Sequence, residues 1–381
     1  MFIPSHLREQ VAFFSMREFL SKISIFSILL FLGSCDPGTP DEKIYYDDFF
    51  ENVADGMIIP RYANFQQQLI DLSDILALFD SSNSQSLIEI QNQFKSTYIS
   101  WQYISAFEFG PSQEYFGKLQ EMCNTFPTQV SDIESNILSG DYNLDFPTNY
   151  DAKGLPAIDY LLFHTSTSDL LEELSNFKRI QYINDCIIDM QTRVSAVLSA
   201  WDQYRDVFVQ SQGNDVSSSL SILFNQYLFD YERLKRDKFA VPAGFATQYG
   251  IPILSDTSVV EAKYSKMSIA LLQANLISLE RIYMGVNEQG IDGVGFYEKL
   301  LEYNAQSTVV DGDLALAIQE QFSICKNALT NHVTDLPNEI INHPSEVELT
   351  SSELQKMVPM LKNDMRSYLS VSVTEGDPDG D

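Results

Sequence analysis

Phe65-Gln66-Gln67-Gln68-Leu69-Ile70-Asp71-Leu72-Ser73-Asp74-Ile75-Leu76-Ala77-Leu78-Phe79 is the stretch that decides the fold. Phe65, Leu69, Leu72, Leu76 and Phe79 step by 4, 3, 4 and 3, which lays one apolar stripe along an α-helix. Downstream, Leu87, Ile90, Phe94, Tyr98 and Trp101 step by 3, 4, 4 and 3. The polar turn Asp80-Ser81-Ser82-Asn83-Ser84 between the stripes predicts an antiparallel helical hairpin. Leu174, Phe177, Ile183, Ile187, Met190, Val194, Leu198 and Trp201 outline a long third helix. Leu220, Leu223, Tyr227, Tyr231 and Leu234 form a further stripe. Helices are also expected near Val259–Tyr283, Phe296–Tyr303, Asp313–Asn331 and Ser351–Leu369. No comparable run of alternating β-branched residues occurs, so the predicted class is all-α.

The polar stretch from Ser211 to Ser219 is the natural boundary, predicting two helical-bundle domains, 45–213 and 219–381, packed at a shared interface. An irregular insert between Ala240 and Asp256, carrying Pro242, Gly244, Gly250 and Pro252, would cover part of that interface. Ahead of the bundles, residues 1–34 read as a targeting signal. Arg17 and Lys22 precede the apolar run Ile23 to Leu32, too short for a bilayer span of about 20 residues. The run ends in Leu32-Gly33-Ser34-Cys35, the pattern of a lipoprotein signal in which Cys35 is lipidated. Met16 is an alternative start, because residues 1–15 add nothing a signal requires. Residues 35–44, with Pro37, Gly38 and Pro40, read as a tether. The expected partner at this end is a bacterial membrane, holding the chain extracytoplasmically on the periplasmic or outer-surface face.

The formal net charge is −29, and the mature chain is about one unit more acidic because the signal carries net positive charge. Such a field repels phosphate backbones, so nucleic acid is excluded as a partner. Beyond Cys35 the cysteines are Cys123, Cys186 and Cys325, widely spaced and without a C-x-x-C pair. Buried free thiols are the expected state, with at most one disulfide.

H-E-x-x-H, G-x-S-x-G and phosphate-loop signatures do not occur. His164, His332 and His343 lack a second ligand at metal spacing and read as structural. The most informative segment is Gly154-Leu155-Pro156-Ala157-Ile158-Asp159-Tyr160-Leu161-Leu162-Phe163. Gly154 and Pro156 suit a helix entry, and Asp159 lies three residues on, on the same face. A carboxylate among Ile158, Tyr160, Leu161 and Leu162 is costly to bury unless paired or hydrogen-bonded. Spacing alone favours a structural ion pair with an arginine or lysine.

This segment resembles the G-x-H-x-x-E helix of the imelysin family, bacterial extracytoplasmic proteins sometimes classed as peptidases and associated with iron uptake. Other stretches agree in order: Ile59-Pro60-Arg61-Tyr62, Trp101 with Phe107-Glu108-Phe109-Gly110-Pro111, Asn124-Thr125-Phe126-Pro127, Val260 to Ser268 through Asn275, Tyr283-Met284-Gly285, and Leu361 to Met365. The resemblance implies two helical bundles with a ligand cleft at their interface; the cofactor is left open between a metal ion and haem, for neither of which the sequence offers a complete ligand set. It sets Asp159 where the family has glutamate and Pro156 where it has histidine. Proline offers neither a metal lone pair nor a transferable proton, and zinc wants about three or four N, S or O ligands. Arg61, Tyr62, Trp101, Glu108, Glu261, Ser265, Ser268 and Asn275 are the remaining cleft candidates, Arg61 as partner of Asp159 or of an anionic ligand. The tail Asp377-Pro378-Asp379-Gly380-Asp381 looks like a fragment of a calcium loop but reads as a solvated terminus.

Three functions follow from this reading. The first is a binding lipoprotein of the imelysin-like class, serving metal or haem acquisition. The second is a metallopeptidase using Asp159. The third is a structural or partner-binding surface protein.

Overall fold

The computed structural model describes residues 45–114 and 117–372. The signal at 1–34, the Cys35 anchor, the whole 35–44 tether and the 377–381 tail lie outside them.

The opening stripes form the predicted hairpin: α2 (Ile59–Ala77) buries Phe65, Leu69, Leu72 and Leu76, and α3 (Ser84–Gln102) buries Leu87, Ile90, Phe94, Tyr98 and Trp101. Asn83 caps α3 by accepting the Gln85 N–H, one of the donors a helix start leaves unpaired. The short α1 (Asp47–Val53) precedes the pair, joined to α2 by a π-helical turn over Ala54–Ile58. After a cis Phe126-Pro127 bond the chain enters α4 (Gly154–Phe163), then α5 (Thr167–Leu174) and α6 (Phe177–Gln210). The single long third helix expected from Leu174 onward is thus two. Asn176 accepts the Lys178 N–H and starts a new helix, and Phe177, counted into the stripe, is 73% exposed.

The second half begins with α7 (Ser219–Arg233), which runs into a π-helical segment, Leu234–Ala240. The insert holds a two-residue hairpin, β1 (Thr247–Gln248) against β2 (Ile251–Pro252), with left-handed Tyr249 and Gly250 at its tip. Then follow α8 (Ser268–Met284), α9 (Phe296–Glu302), α10 (Leu314–Thr330) and α11 (Pro344–Pro359). Helix α8 starts well after the expected Val259, because residues 261–266 form turns in which Ala262 and Lys266 adopt positive φ. The all-α class stands, with one short hairpin.

Contacts run across residues 211–219, and the described residues from Tyr46 to Ser372 fall in one compact unit. Phe49 of α1 meets Phe296 of α9 at 4.9 Å, and Phe50 meets Phe208 of α6 at 5.4 Å. Asn52 donates to the carbonyls of Gly285 and Val294, 2.7 and 3.0 Å away. Cys123, Cys186 and Cys325 are buried free thiols, as their spacing suggested. Among the described residues no helix is long and apolar enough to cross a membrane.

Both tryptophans, Trp101 and Trp201, belong to the first half, whereas Phe296 belongs to the second. Phe296→Ala should remove about 3–5 kcal/mol of stability. If the halves share one core, tryptophan fluorescence and far-UV circular dichroism will then shift together to lower urea. Separate transitions would contradict the shared core.

Candidate functional site

Helix α4 begins where ordinary side chains cannot fit. Gly154 has φ +69°, and a Cβ there would lie 2.4 Å from the Cys123 carbonyl oxygen. Pro156 follows in the first turn, where no N–H is needed. That entry aims Asp159 at the 261–266 turns, and its carboxylate accepts the Tyr264 and Ser265 backbone N–H groups, both at 3.0 Å. Tyr160 packs edge-on to Tyr264 beside it, with centroids 5.3 Å apart. Burial pushes the Asp159 carboxyl up to about 6, against the downward pull of those N–H bonds. The partner of Asp159 is therefore backbone, not Arg61.

Arg61 is buried elsewhere and corrected in role. Its Nε meets Glu288 at 2.6 Å, and a terminal nitrogen donates to Ser278 Oγ at 3.1 Å. Tyr62 donates to the Phe107 carbonyl at 2.9 Å, and Trp101 packs edge-on against Phe65. Ser268 accepts the Leu336 N–H at 2.9 Å. These four candidates stand outside the Asp159 cluster as packing and capping groups.

Glu261 and Asn275 do join a buried polar lattice. Glu261 Oε1 accepts from Gln102 Nε2 at 3.1 Å and Asn124 Nδ2 at 2.8 Å. Lys238 Nζ donates to Gln102 Oε1 at 2.6 Å and Asn275 Oδ1 at 3.0 Å, and lies 3.5 Å from Glu261 Oε2. Asn275 Nδ2 reaches Asp230 Oδ2 at 2.7 Å, which also accepts from Ser105 Oγ at 3.0 Å. Burial lowers the Lys238 ammonium pKa, and the neighbouring Glu261 and Asp230 oppose it. Lys238, Asp230, Gln102 and Ser105 were missed as site residues. The lysine was legible, because Tyr227, Tyr231, Leu234 and Lys238 continue one stripe in steps of 4, 3 and 4. The others sit among apolar neighbours with no such mark.

Beside this lattice opens a cleft of about 490 Å³ between the 120–127 segment and residues 233–259. Asn124 reaches it from the lattice, with Gln120, Glu121, Thr125, Arg233, Arg236, Asp237 and Gln248 as its other polar lining. Phe126, Val241 and Ile253 supply apolar wall. Glu108 stands behind Gln120, accepting its N–H at 2.9 Å, and burial pushes its carboxyl up to about 7.

Metal does not fit the position the family resemblance pointed to. Both Asp159 oxygens are engaged by N–H groups, and Pro156 has no donor atom. The crevice they share has only about 10 Å³ of free space, roughly that of one water. Among the described residues no three His, Cys, Asp or Glu side chains come together as a metal site. His332 is spoken for by Glu339 at 3.2 Å and Thr350 at 2.9 Å, and His164 by Tyr160 O at 2.9 Å and Glu173 at 3.2 Å.

The helical architecture and the buried Gly154–Asp159 helix entry define the class of protein, and comparison with known proteins supplies the family. Residues 58–358 match the Imelysin family model, and this chain belongs to that family. Its fold is similar to the solved structure of an imelysin-like protein from Psychrobacter arcticum 273-4, with TM-score 0.62, 16% identity, and coverage of 86% of this chain and 96% of that one. It is also similar to a protein of Parabacteroides distasonis ATCC 8503 solved as a "putative iron-regulated protein A precursor", with TM-score 0.68, 14% identity, and coverage of 88% and 97%. No curated protein matches this chain.

Two measurements check the electrostatics. Asp159→Ala leaves two N–H groups without their acceptor, at a cost of about 1–3 kcal/mol. Hydrogen exchange should then quicken at Tyr264 and Ser265, and unchanged protection there would refute the anchor. Glu108 is raised in the folded state, so its contribution to stability is present below the unfolded value near 4.3 and disappears as pH rises through about 7. Urea midpoints should climb as pH falls from 8 to about 5, with Glu108→Gln flattening the slope.

Proposed function

We propose that this protein is a bacterial extracytoplasmic lipoprotein of the Imelysin family that binds a small ligand in the 490 Å³ cleft, in the service of iron acquisition. The observation that carries this reading is the division of labour among its polar groups. Asp159 is consumed in holding the 261–266 turns and Glu261 in holding the lattice, while the adjoining cleft stays open with Arg233, Arg236 and Gln120 on its wall. The cleft volume falls in the range of small-molecule sites, roughly 300–1,000 Å³. The name of the Parabacteroides relative, which speaks of iron regulation and of a precursor, supports an iron-related, exported role. Gly33-Ser34-Cys35 supports lipid anchoring at Cys35. Burying the methylenes of such a chain contributes about 0.8 kcal/mol each.

Peptidase chemistry of the metal type has less support. It needs a water activated by a metal or a base, and the Asp159 carboxylate already has two backbone donors within 3.0 Å. The test uses the lipidated protein from bacterial membranes. It should leave unfolded casein intact with and without added zinc. In thermal-shift assays at least one iron(III) chelate should raise Tm by several degrees, as ligand in excess of Kd stabilises the native state. Cys35→Ser should release the chain from the membrane fraction. Casein cleavage abolished by Asp159→Ala would replace this reading with the peptidase.

A further inference from the structure

The ligand class of that cleft can be argued from its charges, taking as given that the cleft binds a small molecule. Of the other charged groups lining the cleft, Arg236 is paired with Asp237 at 2.8 Å, and Glu121 reaches Lys118 at 3.4 Å. Arg233 takes part in no ion pair among the described residues. It donates to the neutral amide oxygen of Gln120, and its guanidinium lies 6.0 Å over the Phe229 ring. A guanidinium has five N–H donors in a planar fork matched to a carboxylate. Here one contact fixes the fork and the remaining donors are left for a ligand. Glu108, the nearby acid that feels Arg233, is already engaged by the Gln120 N–H.

Alongside its polar lining the cleft has a share of apolar wall. Phe126, Pro127, Val241, Ile253 and Val259 line the same cleft. A fully hydrated ion gains nothing from such surface, whereas an attached ring or branched chain gains about 25 cal/mol for each Å² removed from water. The chain's net charge of −29 adds a second filter. Its field repels anions at long range, more strongly with each further negative charge. Attraction is therefore local and sufficient for one carboxylate, not for several.

We propose that the cleft seats a small amphiphilic monocarboxylate, its carboxylate on Arg233 and its apolar body on Phe126, Val241, Ile253 and Val259. Gln120 is the positioning residue, holding the guanidinium in register.

Calorimetric titration of the full mature chain with 3-phenylpropionate, its amide and citrate tests this. The acid should bind, with the amide and citrate each about tenfold or more weaker, the worth of one charge-assisted hydrogen bond. Arg233→Gln should weaken the acid by a similar factor and leave the amide unchanged. Arg233→Lys should recover part of the loss. Val259→Trp, which fills the cleft without touching the arginine, should abolish binding of acid and amide alike while the circular dichroism spectrum is retained. Equal binding of acid and amide, an unaffected Arg233→Gln variant, or no binding of the acid at millimolar concentration overturns the assignment. The broader reading fails by a different result, no iron chelate shifting the Tm of the unsubstituted chain; a chelate that shifts that Tm while the acid does not bind leaves the cleft function standing and overturns only the anion seat.

Discussion

One carboxylate holding two peptide N–H groups organises this molecule. Asp159 projects from the first sequence half, and Tyr264 and Ser265 belong to the second, so the pair of 3.0 Å bonds pins a turn of one half to a helix of the other. The turn needs that clamp, because Ala262 and Lys266 sit in left-handed backbone that costs on the order of 1–3 kcal/mol per residue. An ionised acceptor is the strongest single partner a peptide N–H can be given. The cost appears on the acid itself, whose pKa rises because burial opposes its charge.

The same turn carries Glu261 into the core, and around it the polar lattice assembles. Its logic is mutual satisfaction of groups that would be costly alone. Lys238 offers three donors and finds Gln102, Asn275 and Glu261, while Asn124 and Asn275 each donate onward to a carboxylate. Removing one partner strands the others in low dielectric, which costs more than the bond itself contributes. Such a lattice has little freedom to recruit a ligand of its own. It does supply a rigid floor beside the cleft, with Asn124 belonging to both.

Much of the helical frame was legible because a 3.6-residue period leaves a long record. The stripes in α2, α3 and α7 buried the faces their spacing indicated. The failures are local and chemical. A two-residue gap at Ser175–Asn176 broke a stripe that apolar counting ran through, because an Asn cap outweighs continuity there. The start of α8 was overrun because nothing near Val259 announces that two distant oxygens draw Tyr264 and Ser265 out of helix. At the site, the importance of Gly154 and Asp159 was readable, since a buried carboxylate demands compensation. Its partner was not, because a backbone N–H has no residue identity to find. Arg61 looked available on paper, yet Glu288, far along the chain, claims it.

The three thiols lend the packing a chemical meaning. Cys123, Cys186 and Cys325 are fully buried, and burial pushes Cys186 up to about 12 and Cys325 to about 11. The thiolate is the species that oxidants and disulfides react with. In the folded chain it is scarcely populated and sterically sealed. Redox damage is thereby made conditional on opening the core, so the chemical lifetime of the cysteines in an oxidising environment is set by how seldom the helices come apart.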